Sequence, residues 1–203
     1  MRTVRSFAAV AERDARLLIV GSMPGVESLR QGQYYAFPRN AFWRITGALF
    51  GFDPSAAYGE RLAGLTRAGV ALWDVLGRCR REGSLDSDIT DAVPNDLEGL
   101  LERCPGIRLV GCNGGAAHAA LRRFFPRFPV KVVRLPSTSP AAAMWSEAEK
   151  LAMWREALGG SGRPHSQQEG GGPAAARQDG DGRTRGKECG RGAEKSESES
   201  EFS

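Results

Sequence analysis

Histidine is almost missing from this chain: His118 and His165 are its only two. A zinc site takes about four ligands from histidine, cysteine or carboxylate at workable spacing, and no such set is in view. The four cysteines, Cys79, Cys104, Cys112 and Cys189, form no C-x-x-C pair. They suit neither a small disulfide scaffold nor iron–sulfur ligation. No apolar run approaches the roughly 20 residues that cross a bilayer. The opening MRTVRSFAAVAERDARLLIV has charges inside its apolar part, which argues against a secretory signal. The loop GSMPG at 21–25 lacks the GK[ST] of a P-loop and the spacing of a dinucleotide fingerprint. A cytoplasmic protein is expected, with no metal, no cofactor and no membrane partner.

From Gly159 onward the chain also lacks Leu, Ile, Val, Met, Trp and Tyr. Such a segment buries too little apolar area to offset the entropy of ordering it. Residues 159–203 are therefore expected to be a disordered low-complexity tail, and residues 1–158 one folded domain. The whole chain has 203 residues, a net charge of +4 and a sequence pI near 9.1. That charge permits a polyanion partner without demonstrating one.

What the first 158 residues do contain is a series of short apolar runs: Leu17–Val20, Val70–Trp73, Ile107–Cys112 and Val130–Leu135. They have strand length and are nearly continuous, as in strands covered on both faces. Helical patterns separate them. Phe42, Ile45 and Leu49 share a face before Gly51; Tyr58, Leu62 and Leu65 repeat the spacing before Gly69. Asn95 to Glu98 and Ser146 to Glu149 resemble capping boxes. Strands alternating with helices predict an α/β domain with a mainly parallel sheet. Ligands of such sheets bind beyond the carboxyl ends of the strands. GSMPG, Asp74, Asn113 and PSTSP (136–140) follow the four runs, so they should gather along one edge.

Each of these loops admits two readings. PSTSP, with Ser137, Thr138 and Ser139 between prolines, can hold a phosphate or be a polar turn before a helix. Asn113 offers a donor and an acceptor side by side, suited to a base edge, or it is a turn residue. In YYAFPRNAFW (34–43), Asn40 either caps the helix that begins near Ala41 or orients a water. Arg39 would then meet a phosphate, and the surrounding rings would stack on a planar base or fill the core. The basic run Arg78, Arg80, Arg81 is read as a solvated face or as a nucleic-acid contact.

Taken together, GSMPG…SL with YYAFPRNAFW, then LWDVL…GSLDSDI and LPSTSPA, resemble the uracil-DNA glycosylase superfamily, in particular its hypoxanthine-DNA glycosylase branch. The likeness runs from about Leu17 to Leu158. It implies a three-layer α/β/α sandwich around a four-stranded parallel sheet. It implies a monofunctional, metal-independent enzyme, acting as a monomer on DNA that holds a deaminated base, hypoxanthine foremost and uracil more weakly. Asn40 would position the attacking water. Gly21, Ser22, Met23, Phe42 and Asn113 would hold the base, and Arg39, Ser137, Thr138 and Ser139 the flanking phosphates. Met144 would wedge into the vacated stack. Phe37 departs from the pattern, which often has histidine there. Two other functions fit the same loops: a damaged-DNA-binding module without catalysis, and a nucleoside or nucleotide hydrolase.

Overall fold

The apolar runs become the centre of the molecule. In the computed structural model, which describes residues 2–159, the chain begins with β1 (Arg2–Arg5), β2 (Leu17–Gly21), α1 (Val26–Gln31), α2 (Phe42–Phe50) and α3 (Tyr58–Arg67). Then come β3 (Val70–Asp74), β4 (Leu76–Arg81), β5 (Thr90–Pro94), α4 (Leu97–Arg103), β6 (Leu109–Asn113), α5 (Gly115–Phe124), β7 (Lys131–Leu135) and α6 (Glu147–Leu158). The expected tail, from residue 160 on, lies outside the described residues.

Strands β3, β2, β6 and β7 form, in that order, a four-stranded sheet in which every pairing is parallel. All residues of β2 and β3 are buried. Both faces of these strands are therefore covered, which is why they read as unbroken apolar runs rather than as alternation. Leu18, Ile19, Val20 and Leu72 have no exposed surface. Each such side chain stabilises the fold by roughly 1.5–3 kcal/mol relative to exposure. From β2 the chain moves to β3 through α1–α3, returns over β2 to β6 through α4, and continues to β7 through α5. Right-handed crossovers put α1–α3 on one face and α4 and α5 on the other. Helix α6 joins the first face, where Trp154 meets Phe42 edge-on at 6.3 Å between ring centroids. The three-layer sandwich follows.

A second sheet had no sequence signal. Strands β1, β4 and β5 pair antiparallel. The basic run expected to be a solvated or DNA-facing stretch is strand β4. Its alternation turns Arg78 and Arg80 outward but buries Cys79 and Arg81. Arg81 is only 2% exposed. Its Nη2 donates to the Pro24 carbonyl, while Nε and Nη1 are enclosed without a partner. It therefore braces the 21–25 loop from beneath.

The capping signals divide. Ser146 forms the expected box: its hydroxyl accepts the Glu149 N–H, and the Glu149 carboxylate accepts the Ser146 N–H at 2.8 Å. Asn95 does not cap α4. Its N–H donates to the Val75 carbonyl at 2.8 Å and its amide to the Asp74 carbonyl at 2.9 Å. That binds Asn95 to the β3–β4 junction, so the helix starts one residue later, with Asp96 accepting the Gly99 N–H at 2.9 Å. Among the described residues, no helix is long and apolar enough to cross a membrane.

Candidate active site

A cavity of about 520 Å³ opens at the carboxyl edge of the parallel sheet. It is lined by Gly21 to Ser28, by Tyr34, Tyr35, Phe37, Arg39 and Asn40, by Asp74, by Ser84 to Asp86, by Asn113 and by Ser137 to Ala141. The four strand-end loops thus meet at one place. Among the described residues, no group of three or more histidine, cysteine, aspartate or glutamate side chains is disposed to hold a metal ion.

Gly21 forms the floor. A Cβ there would sit 2.5 Å from Asp74 Oδ1 and 3.0 Å from the Tyr35 hydroxyl. Only a residue without a side chain lets those two groups approach this close to the strand. The carbonyls of Gly21 and Ser22 accept the Val75 and Leu76 N–H groups at 2.9 and 3.1 Å, which pins the start of the loop. Farther along, the Ser22 hydroxyl donates to Asp86 at 2.6 Å and the Val26 N–H to the Ser84 hydroxyl at 2.9 Å. The segment after β4 is thereby tied to the 21–25 loop and becomes part of the cavity wall.

Asn40 ends a turn closed by its N–H on the Phe37 carbonyl, at 2.8 Å. Its Oδ1 accepts the N–H of Phe42, the first residue of α2, at 3.0 Å. The expected cap is present in this form, one residue ahead of the helix's formal N-cap, Ala41. The carboxamide is held at the cavity wall.

The rings do not fall as expected. Phe42 has no exposed surface and is not among the residues that line the cavity. It lies behind Tyr35, with ring centroids 3.8 Å apart and planes 14° from parallel. Tyr35, which sequence reasoning left among the undivided rings, lines the cavity instead. It adopts a left-handed backbone, φ 52°, at a cost of roughly 1–2 kcal/mol for a residue with a side chain. Stacking on Phe42 helps to offset that cost. Its hydroxyl is enclosed without a well-formed hydrogen bond, with the Asn113 amide as near neighbour. Burial pushes its ionisation far above the usual phenol range.

Asn113 and Thr138, both in the cavity wall, are bonded to each other. The Asn113 amide donates to the Thr138 hydroxyl at 2.8 Å, and its oxygen accepts the Thr138 N–H at 2.9 Å. Thr138 is 1% exposed. Its carbonyl accepts the Ala41 N–H at 3.0 Å. The pair acts as a clasp that ties the end of β6, the 136–140 loop and the Asn40 turn together. The hydroxyls left toward the rim are those of Ser137 and Ser139. Arg39 is exposed there, its guanidinium 5.4 Å from the Phe37 ring centroid. Phe37 itself is 39% exposed, at the cavity mouth. Met144 is 81% exposed beyond the 136–140 loop.

Asp74 was expected at this edge of the sheet and is there, but the sequence reading gave it no role. It closes an apolar strand, which was the available signal: a carboxylate at the carboxyl end of a buried strand has no packing reason to be there. It is 3% exposed, and Oδ2 accepts the Ser6 hydroxyl at 2.7 Å. Burial lifts its pKa from 3.8 to about 7; the Ser6 hydrogen bond opposes the rise, the Asp86 charge adds to it, and Arg81 opposes it.

The chain that carries this cavity has known relatives. The profile of the family described as "Uracil DNA glycosylase superfamily" matches residues 7–158. A protein named Hypoxanthine DNA glycosylase from Methanosarcina acetivorans is 40% identical over 158 residues, which cover 74% of this chain and 98% of that protein. Another of that name, from Methanosarcina barkeri, is 40% identical over 111 residues, 54% of this chain and 70% of its own length. A solution NMR structure from Methanosarcina acetivorans, described provisionally as a uracil DNA glycosylase, superposes with a TM-score of 0.66 at 37% identity, covering 76% of this chain and 98% of its own. With the parallel sheet, the strand-end cavity and a match along nearly all the described residues, this chain belongs to the uracil DNA glycosylase superfamily.

Proposed function

We propose that residues 1–158 form a monofunctional DNA glycosylase that hydrolyses the N-glycosidic bond of deaminated bases, hypoxanthine foremost and uracil second, at the start of base excision repair. The supporting observation is the single cavity that joins Asn40, the 21–25 loop and the 136–140 loop. It is strengthened by a relative, 40% identical and matched over 98% of its length, that carries the name Hypoxanthine DNA glycosylase. The enzyme acts on DNA as a monomer in the cytoplasm.

A base inside the duplex is out of reach, so the nucleotide is extruded at a cost of a few kcal/mol. The cavity supplies the walls that receive it. As the bond from C1′ to the base nitrogen breaks, the sugar becomes cationic and the base takes the electron pair. Backbone N–H groups of Ser22 and Met23 oppose that negative charge. Such preorganised dipoles are the main source of stabilisation in sites of this kind. Asn40, fixed by its bond to Phe42, orients a water toward C1′. A neutral amide is a poor base, but the electrophile forms first, so orientation suffices. Ser137, Ser139 and Arg39 hold phosphates at the rim. Met144 enters the vacated stack.

A duplex with one labelled deoxyinosine or deoxyuridine, treated with protein and then alkali, tests the reading. Strand cleavage at the lesion is expected. Protein that binds the duplex and releases no base would mark a binding module instead. Release of base only from free nucleosides or nucleotides would mark a small-molecule hydrolase.

A further inference from the structure

Resting on the glycosylase reading, we propose that Asp74 is a catalytic acid, delivering a proton from its carboxyl to a ring nitrogen of the departing purine. The placement comes first. A flipped nucleotide stays tethered by its phosphates, so its base goes deepest and its phosphates remain at the rim. Of the residues that line the cavity, Pro140 and Ala141, on the rim loop, are exposed, whereas Gly21 and Asp74 are buried at the end of the parallel strands. Asp74 therefore lies at the base end of the cavity.

The sign of the developing charge then decides which form of the carboxyl helps. The base departs with the bonding electrons, so a carboxylate beside it would repel it. A neutral carboxyl instead donates a hydrogen bond that strengthens as the charge grows. The surroundings keep the neutral form available near neutral pH, since burial lifts the group to about 7. The charged groups around it are Asp86, which raises its pKa further, and Arg81, which lowers it. The titratable neighbours are the hydroxyls of Tyr34 and Tyr35, whose ionisation burial pushes above the usual range. Ser6 fixes which oxygen carries the proton. Its hydroxyl donates to Oδ2 at 2.7 Å, so the acid proton belongs on Oδ1, the oxygen beside Gly21.

The step balances. The C1′–N9 bond breaks and its electron pair goes to the base. The O–H bond at Asp74 breaks and an N–H bond forms on the purine, which leaves neutral. Water adds to C1′ through oxygen and loses a proton, which restores the acid through solvent once the base has gone.

Single-turnover release of hypoxanthine by the full chain, measured from pH 5.5 to 9, is the test. The wild-type rate should fall above pH 7, approaching about tenfold per pH unit, as one acid is lost. Asp74→Asn should be slower by about tenfold or more at pH 6, the low end for losing a general acid, and should lack the descending limb. Ser6→Ala removes the bond that favours the carboxylate, so its limb should move to higher pH. This variant keeps the proposal testable if Asp74→Asn folds poorly. An active wild type with a flat profile above pH 7, or a descending limb that survives in Asp74→Asn or stays unmoved in Ser6→Ala, overturns the role of Asp74 alone. A wild type inactive on every deaminated base overturns the glycosylase reading itself.

Discussion

The oxygen of Asn40 that accepts the Phe42 N–H has a second lone pair, and that lone pair is what a water would meet. Replacing Asn40 by alanine should lower single-turnover excision by roughly 100-fold or more, the scale of losing one preorganised group. The same change should cost only about 0.5–2 kcal/mol of stability, as for a lost helix cap. Thermal unfolding beside the rate assay separates the two effects. Gly21→Ala is expected to behave differently. Its methyl would lie 2.5 Å from Asp74 Oδ1, so the carboxyl must shift. Overpacking of this kind costs about 1–3 kcal/mol, and the displaced group should slow base release as well. A Gly21→Ala protein with wild-type melting and rate would show that the floor yields more easily than its packing implies.

Among the elements, the clasp between Asn113 and Thr138 governs whether the 136–140 loop keeps its shape. Thr138→Val removes the hydroxyl but keeps the volume, leaving the half-buried Asn113 amide without its acceptor. A fully buried unmet donor costs about 1–3 kcal/mol, and this half-buried one should cost the lower part of that range. The expected result is a lower melting temperature and weaker binding of lesion DNA, with the slope of affinity against salt unchanged, because no phosphate contact is lost. Titration of labelled duplex at several salt concentrations checks this. The parallel strands were legible in the sequence because burial on both faces leaves long apolar runs. Strands β1, β4 and β5 were not legible: β4 reads as charge, since its inward positions are taken by Cys79 and Arg81, and one of its partners, β1, is distant in the chain. The site loops were legible from the rule for strand ends. The direction of each side chain was not. Phe42 and Tyr35 are both rings near one loop, and only the left-handed turn at Tyr35 decides which of them reaches the cavity.

For the molecule as a whole, a buried carboxyl is a cost that depends on pH. In the unfolded chain Asp74 releases its proton near 4; in the fold it does so near 7. Between those values the folded state holds the extra proton, so stability falls as pH rises through that window and then levels off. Asp74→Asn removes the dependence. The variant's melting temperature, relative to wild type, should therefore be higher at pH 8 than at pH 5; an equal difference at both would mean that Asp74 titrates alike in the folded and unfolded states.

The clasp also divides the cavity wall in a way that bears on how such an enzyme can change its substrate. Asn113, Thr138 and Ala41 are joined by hydrogen bonds, so altering any of them disturbs several loops together. Phe37 and Leu85, by contrast, are 39% and 59% exposed at the mouth, and the hydrogen bonds they accept, from Asn40 and Asp88, are made by their backbone carbonyls, which a side-chain substitution leaves in place. Substitutions there should stay within about 0.5 kcal/mol of wild-type stability while reshaping what the mouth admits. Selection for a different lesion can therefore explore these two positions at little risk to the fold.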